Sequence, residues 1–296
     1  MTLEGILMNN HDEKPALETP AARFPLRRER PLRVCMLLVL LIATVTGVPA
    51  LAGDGSHWAP PAPPRSAEDL VDGRTVVQEA VDFMNGHKEL AFEALVTYGA
   101  VQEDGQKIHF DMLQKLALSL PDRLYWTTLF DDGSTHQAWC NRGEFTLVKQ
   151  PANVWGRITV PPVIADAVTR ISTEYNLDVP FVDILSGDPT ELWLGEDVLA
   201  VDYVGPAWIG GYWTDHVAIR KPGVDFELWF RQGDQPFPVK IELVYTDAPQ
   251  LPSYSARFKA WSTDLAGGSI PEFTPPAEGE QVEVVPVVDV DEGRSK

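Results

Sequence analysis

Alternation with a period of two is the feature that most restricts how this chain can fold. In Lys107 to Leu120, Ile108, Phe110, Met112, Leu116, Leu118 and Leu120 fall on one face, with Lys107, His109, Asp111, Lys115 and Ser119 on the other. Val224, Phe226, Leu228 and Phe230 alternate with Asp225, Glu227 and Arg231, and Val239, Ile241, Leu243 and Tyr245 with Lys240 and Glu242. Successive side chains of a strand point to opposite sides, so each stretch predicts a strand with one apolar face. Asp104-Gly105, Pro121-Asp122, Asp132-Gly133 and Arg142-Gly143 are turn sequences between such stretches. Tight turns join antiparallel neighbours, which predicts a meander with one apolar and one wet face. A last strand is expected near Tyr254 to Trp261.

Helical spacing interrupts this pattern. Leu70, Val76, Val77, Ala80, Val81 and Met84 share a face, which predicts a helix from Ser66, as its cap, to Met84, stopped at Asn85-Gly86. After Pro161-Pro162, Val163, Ile164, Ala167, Val168, Ile171 and Tyr175 recur at helical spacing. Phe181 to Leu194 is expected to hold short helical turns broken at Gly187 and Pro189. Two strand blocks around a helical insertion predict an α+β fold: one curved antiparallel sheet, an incomplete open β-barrel, with helices on its concave apolar side. Ile108, Phe110, Met112, Leu124, Trp126, Phe226, Leu228 and Phe230 would line that side and are the candidate ligand-binding residues.

Residues 34 to 52, VCMLLVLLIATVTGVPALA, form an uncharged run behind the basic stretch Arg27 to Arg33. The run ends in Ala50-Leu51-Ala52, which predicts a signal peptide cut between Ala52 and Gly53 and an exported, periplasmic mature chain without stable membrane insertion. An uncleaved anchor is the competing reading, since a span needs about 20 apolar residues. Gly47 and Pro49 break the run where cleavage would occur and favour removal. Arg27-Arg28 lacks the apolar pair of a twin-arginine signal, and the long segment ahead of Arg23 suggests a start codon placed too early. The predicted organisation is therefore a signal segment over 1–52, a Pro-rich linker over 53–65, one domain over 66–278 and an acidic, disordered tail over 279–296.

A formal net charge of −19 argues against nucleic acid and anionic lipid surfaces as partners. The chain holds 2 cysteines. Cys35 lies in the signal, so Cys140 is left without an internal disulfide partner and reads as a small buried hydrophobe.

Chemistry-bearing motifs are sparse. Asp215-His216 suggests an oriented general base, but adjacent strand residues face opposite ways and cannot easily bond to one another. Asp131, Asp132 and His136 could offer metal ligands, although Asp-Asp-Gly is first a turn sequence. Asp183 and Glu191 are a carboxylate pair with no distinguishing spacing. No zinc, calcium, nucleophile-elbow or dinucleotide motif is found, so neither a catalytic residue nor a metal or cofactor is expected. Trp126, Trp139, Trp155, Trp208, Trp213, Trp229 and Trp261 fall in or beside predicted strands, where they either pack or line a cleft. Trp229 lies between Leu228 and Phe230, so the second face of that strand also needs a cover.

The blocks DGQKIHF (104–110), PDRLYW (121–126), GEFTLVKQPANVW (143–155), VGPAWIGGYWTDHVAIRKPGVDFELWF (204–230) and QPFPVKIELVY (235–245) resemble an uncharacterised family of predicted periplasmic proteins. That family looks like a remote relative of the LolA/LolB lipoprotein carriers. The resemblance implies an incomplete barrel, capped by helices, that holds acyl chains. This chain departs from the family pattern at Cys140-Asn141-Arg142-Gly143 and at Thr214. A binding protein for a lipid, acyl chain or lipoprotein is the expected function, with an envelope interaction protein and a hydrolase of unrecognised site as alternatives.

Overall fold

The structure is a computed structural model that describes residues 60–65, 71–102, 104–185, 189–265 and 270–287. The expected signal segment and its cleavage point, together with 288–296 of the tail, lie outside the described residues. Residues 62–287 belong to one compact unit, built on a sheet of 12 strands.

β1 (Glu89–Val101), β2 (Lys107–Ser119), β3 (Arg123–Phe130), β4 (Thr135–Asn141), β5 (Glu144–Gln150) and β6 (Val154–Thr159) form the expected meander. β7 (Ala200–Ile209), β8 (Tyr212–Lys221), β9 (Val224–Arg231), β10 (Pro238–Tyr245) and β11 (Ser253–Ser262) form a second one. Pairing of β1 with β11 joins the two, in the order β6-β5-β4-β3-β2-β1-β11-β10-β9-β8-β7. The sheet is curved and does not close, so it keeps two edges. The predicted turns hold: Gly105, Gly133 and Gly143 all adopt positive φ, where a side chain would be strained.

Four helices lie over one face. α1 (Gly73–Asn85) begins later than the sequence suggested. Asp72, not Ser66, is its cap, accepting a hydrogen bond from the Thr75 amide at 3.2 Å. Gly73 explains the choice, because a Cβ there would stand 3.0 Å from the Tyr203 amide nitrogen. A larger residue would push the first turn a few tenths of an ångström away from β7. α2 (Ile164–Tyr175) buries Ile164, Ala167, Val168 and Ile171 as its spacing predicts and stops at Asn176 in the left-handed region. α3 (Val182–Leu185) and α4 (Pro189–Leu194) are the expected short turns, with Pro189 opening α4, where its missing N–H costs nothing.

The tail departs from the expectation of disorder beyond residue 278. Trp139 Nε1 donates to the Pro271 carbonyl at 2.9 Å, and the Phe273 ring packs against Trp139 and Trp155 on the outer face. Residues 280 and 281 then form β12 (Glu280–Gln281), parallel to β6 at the sheet edge. Farther on, the Val287 amide donates to the Glu174 carbonyl of α2 at 2.8 Å. A Pro-rich sequence lacks the periodicity of a self-supporting element, and this one is ordered by the surface it crosses. The outer face is correspondingly less wet than the alternation implied, with Thr146 and Val148 buried.

Gly156 marks how closely this strap approaches, since a Cβ there would fall onto the Val284 side chain and within 3.1 Å of the Val282 carbonyl. Gly156→Ala should therefore loosen the strap, lowering stability by about 1 kcal/mol, roughly 2–4 °C in Tm for a domain of this size. Faster protease cleavage within 271–287 would accompany the loss, and unchanged Tm and cleavage would refute the contact.

Candidate functional site

Strand register gathers the apolar residues of distant segments onto the helix-covered face. Met112, Val96, Ala256, Ile241, Leu228 and Val217 follow one another across six strands. Phe110, Tyr98, Tyr254, Leu243, Phe226 and Ile219 form the next row. Toward the other edge, Leu116, Trp126, Ala138 and Leu147 make one row and Leu118, Leu124, Cys140, Phe145 and Ile158 another. Each large side chain removed from water in such a layer contributes about 1.5–3 kcal/mol.

The eight candidate residues share this face but not one environment. Leu124, Trp126, Phe226, Leu228 and Phe230 are buried in the core beneath the helices. Met112 is half-buried against that core. Phe110 is half-buried beside Tyr98, with ring centroids 5.4 Å apart, and Ile108 is 36% exposed. The apolar face thus extends past the helices that cover it.

A polar row cuts across this apolar face. Gln114, Thr128, His136 and Lys149 are direct cross-strand partners on β2, β3, β4 and β5. Gln114 is only 7% exposed, and its Nε2 donates to the Met112 sulfur at 3.2 Å. Its Oε1 is buried with no hydrogen-bond partner among the described residues. An orphaned buried acceptor costs about 1–3 kcal/mol. The His136 ring meets Phe130 edge-on at 4.8 Å. Its pKa is lowered, first by burial and then by the Lys149 charge, with Asp132 opposing. Asp132 serves its turn, accepting from the Ser134 amide at 2.8 Å. No cluster of three or more metal-ligating side chains occurs among the described residues. The Asp183 side chain lies outside them, so the Asp183–Glu191 pair acquires no geometry.

Asp215 and His216 diverge, as strand geometry demands. Asp215, 2% exposed, accepts from Arg65 Nη1 at 2.9 Å, Tyr203 Oη at 2.9 Å and Gln232 Nε2 at 2.8 Å. Arg65 also reaches Glu79 of α1 at 2.7 Å, so the linker, a helix and the sheet meet at one guanidinium. The Arg65 pKa is raised, first by Glu79. His216 turns to the outer face, stacked on Trp229 at 4.2 Å, with its Nε2 2.8 Å from Glu227. Lys240 caps the other side of Trp229, its Nζ 4.2 Å from the ring centroid. This sandwich supplies the cover that the second face of Trp229 required. Burial is the main cause that lowers the His216 pKa, and Glu227 opposes it.

A cavity of about 130 Å³ lies between β3–β6 and the strap, lined by residues including Arg123, Trp139, Arg157 and Phe273. Small-molecule sites usually measure about 300–1,000 Å³. The strap was invisible to strand and helix periodicity, so this space was missed. Cys140 is buried, and desolvation pushes its pKa up to about 12.

A family model described as "Predicted periplasmic protein (DUF2092)" matches residues 73–285. The chain belongs to that family. Its compartment is accordingly the periplasm. No curated protein matches the chain. Among solved structures, it is similar to the lipoprotein LppX of Mycobacterium tuberculosis, at 12% identity over 66% of this chain and 97% of that one, with a TM-score of 0.38. A LolA superfamily protein of Nitrosomonas europaea gives 9%, 68%, 98% and 0.30 in the same order. Pseudomonas aeruginosa MucB in complex with MucA gives 12%, 65%, 57% and 0.37, so the chain spans just over half of that match. At these scores the architecture rests on the strand order and register themselves.

Replacing Asp215 by Ala should cost about 3 kcal/mol, because Arg65, Tyr203 and Gln232 lose their acceptor together. Arg65→Ala should cost less, the guanidinium being partly exposed; equal losses in chemical denaturation would contradict the arrangement. Cys140 should react slowly with a thiol reagent until the protein unfolds. Its raised pKa stabilises the fold below the ordinary value of 9.0, a contribution that declines as pH rises toward about 12. Rapid labelling of the native protein would refute burial.

Proposed function

We propose that this protein binds a hydrophobic ligand, an acyl chain or the lipid part of a lipoprotein, between its inner sheet face and its helices. The observation that supports this most directly is the apolar face itself, which continues beyond its cover into half-buried Phe110 and Met112 and exposed Ile108. Soluble proteins seldom leave apolar surface continuous with their core unless something occupies it. The cover is also of a kind that can shift. α2, α3 and α4 meet the sheet largely through apolar side chains, with Ile164 N to Pro121 O and Lys221 Nζ to Leu192 O among the few polar ties. Apolar contact is non-directional, so a ligand chain can replace helix side chains without stranding polar groups.

In this reading the protein is a carrier or receptor and not an enzyme. Binding through the β7 edge is the second reading. Val204 and Trp208 are 57% and 42% exposed there. The register shift at Tyr203/Gly205 and the presence of Pro206 interrupt that edge and weigh against added strands.

Titration of the folded protein with palmitate should give a saturable change in tryptophan fluorescence. Phe110→Asp, placed where the face is half-open, should weaken binding at least tenfold while leaving the circular dichroism spectrum unchanged. Phe226 is a poor probe of the same idea, since a carboxylate beneath the helices would unfold the core. Absence of saturable binding by the folded wild type would overturn the carrier reading.

A further inference from the structure

We infer that the polar row Gln114–Thr128–His136–Lys149 is a head-group subsite, selecting acylated ligands whose head carries a hydrogen-bond donor beside an acidic group. This inference rests on the carrier reading and adds which amphiphile the site takes.

Three observations converge. The first is position. On β2 and β3 the row lies between the buried pair Leu116–Trp126 and the half-buried pair Met112–Phe130. A chain lying along the apolar face would therefore place its polar end against these four side chains. Direct cross-strand neighbours stand roughly 4.5–5.5 Å apart at Cβ, so one head group can span adjacent members of the row.

The second observation is the unused acceptor. Gln114 is more than nine-tenths buried and its Oε1 has no partner. The orientation of the amide follows from Met112, whose sulfur accepts weakly and donates nothing, so the NH₂ end faces it and the oxygen remains. Only a donor satisfies that oxygen: a hydroxyl or an amide N–H.

The third is the cation. Lys149 ends the row, feels Asp178 at a distance, and makes no ion pair among the described residues. It is the direct partner on β5 of His136, whose pKa burial lowers, favouring the neutral imidazole that can both accept and donate. A phosphate or carboxylate beside Lys149 would complete the set. The ligand class is then an acylated molecule with a hydroxyl- or amide-bearing acidic head, bound one molecule at a time and not as a membrane surface.

Three probes separate the contributions in fluorescence or calorimetric titrations of the folded protein. These are palmitoyl-lysophosphatidylglycerol (donor and anion), monopalmitoylglycerol (donor alone) and pyrene (no head). Gln114→Leu should weaken both acylated probes about tenfold, leave pyrene unchanged, and preserve or raise Tm by removing the orphaned amide. Lys149→Gln should weaken the lysophospholipid alone. Equal binding of acylated probes by wild type and Gln114→Leu would show that water alone serves the oxygen, overturning the subsite while the carrier reading survives. Loss of pyrene binding as well in Gln114→Leu would assign the residue to packing and equally overturn it. Failure of wild type to bind any of the three would overturn the carrier reading and the subsite together.

Discussion

An unclosed curved sheet with one apolar face must bury that face against something other than itself, and this requirement organises the molecule. A closed barrel would fill its interior with its own side chains. Here register aligns rows such as Met112–Val96–Ala256–Ile241–Leu228–Val217 from strands far apart in sequence, and the face they form is wider than any one helix. α1 covers the β7–β9 side, beginning at a glycine that allows backbone contact with Tyr203. α2, α3 and α4 cover more, through Ile164, Ile171, Leu185 and Trp193. Because the helices are short and the face is broad, cover gives out at Phe110 and Ile108. Stability and the proposed binding draw on the same surface.

The polar groups are arranged in two contrasting ways. Asp215 is deeply buried and fully satisfied by three donors from the linker, β7 and the β9 end, so it fixes structure. Gln114 is nearly as deeply buried and half unsatisfied. In the low-dielectric interior the difference matters, since a complete network stiffens its surroundings while an incomplete one retains affinity for whatever completes it.

Much of this was legible in the sequence because a period of two and a period of 3.6 are set by backbone geometry. The β2, β9 and β10 alternations, the turns at Asp104-Gly105 and Asp132-Gly133 and the α2 face all follow from local rules. What escaped was non-local. Nothing near Ser66 announces that Asp72 will cap α1; the choice is made by packing of Gly73 against β7. The strap has no periodicity, so its order comes from Trp139, Trp155 and β6, far away in the chain; the Asn153–Ala277 contact alone spans 124 residues. For the candidate residues, alternation put all eight on one face of the sheet but could not say which lie under helices. Nor could it find the Gln114–Lys149 row, whose members become neighbours only when four strands come into register.

The strap also has a consequence for self-association. A sheet with two bare edges can be extended at both, and copies joined edge to edge can propagate without limit. With β12 laid beside Val154 and Trp155 of β6, the tail covers part of one edge, while β7 forms the other. A strand added at the β6 end must pair beside this tail or displace it, so the tail blunts that edge against open-ended pairing. A short aperiodic segment thus guards one end of the sheet, and it does so without adding to the core.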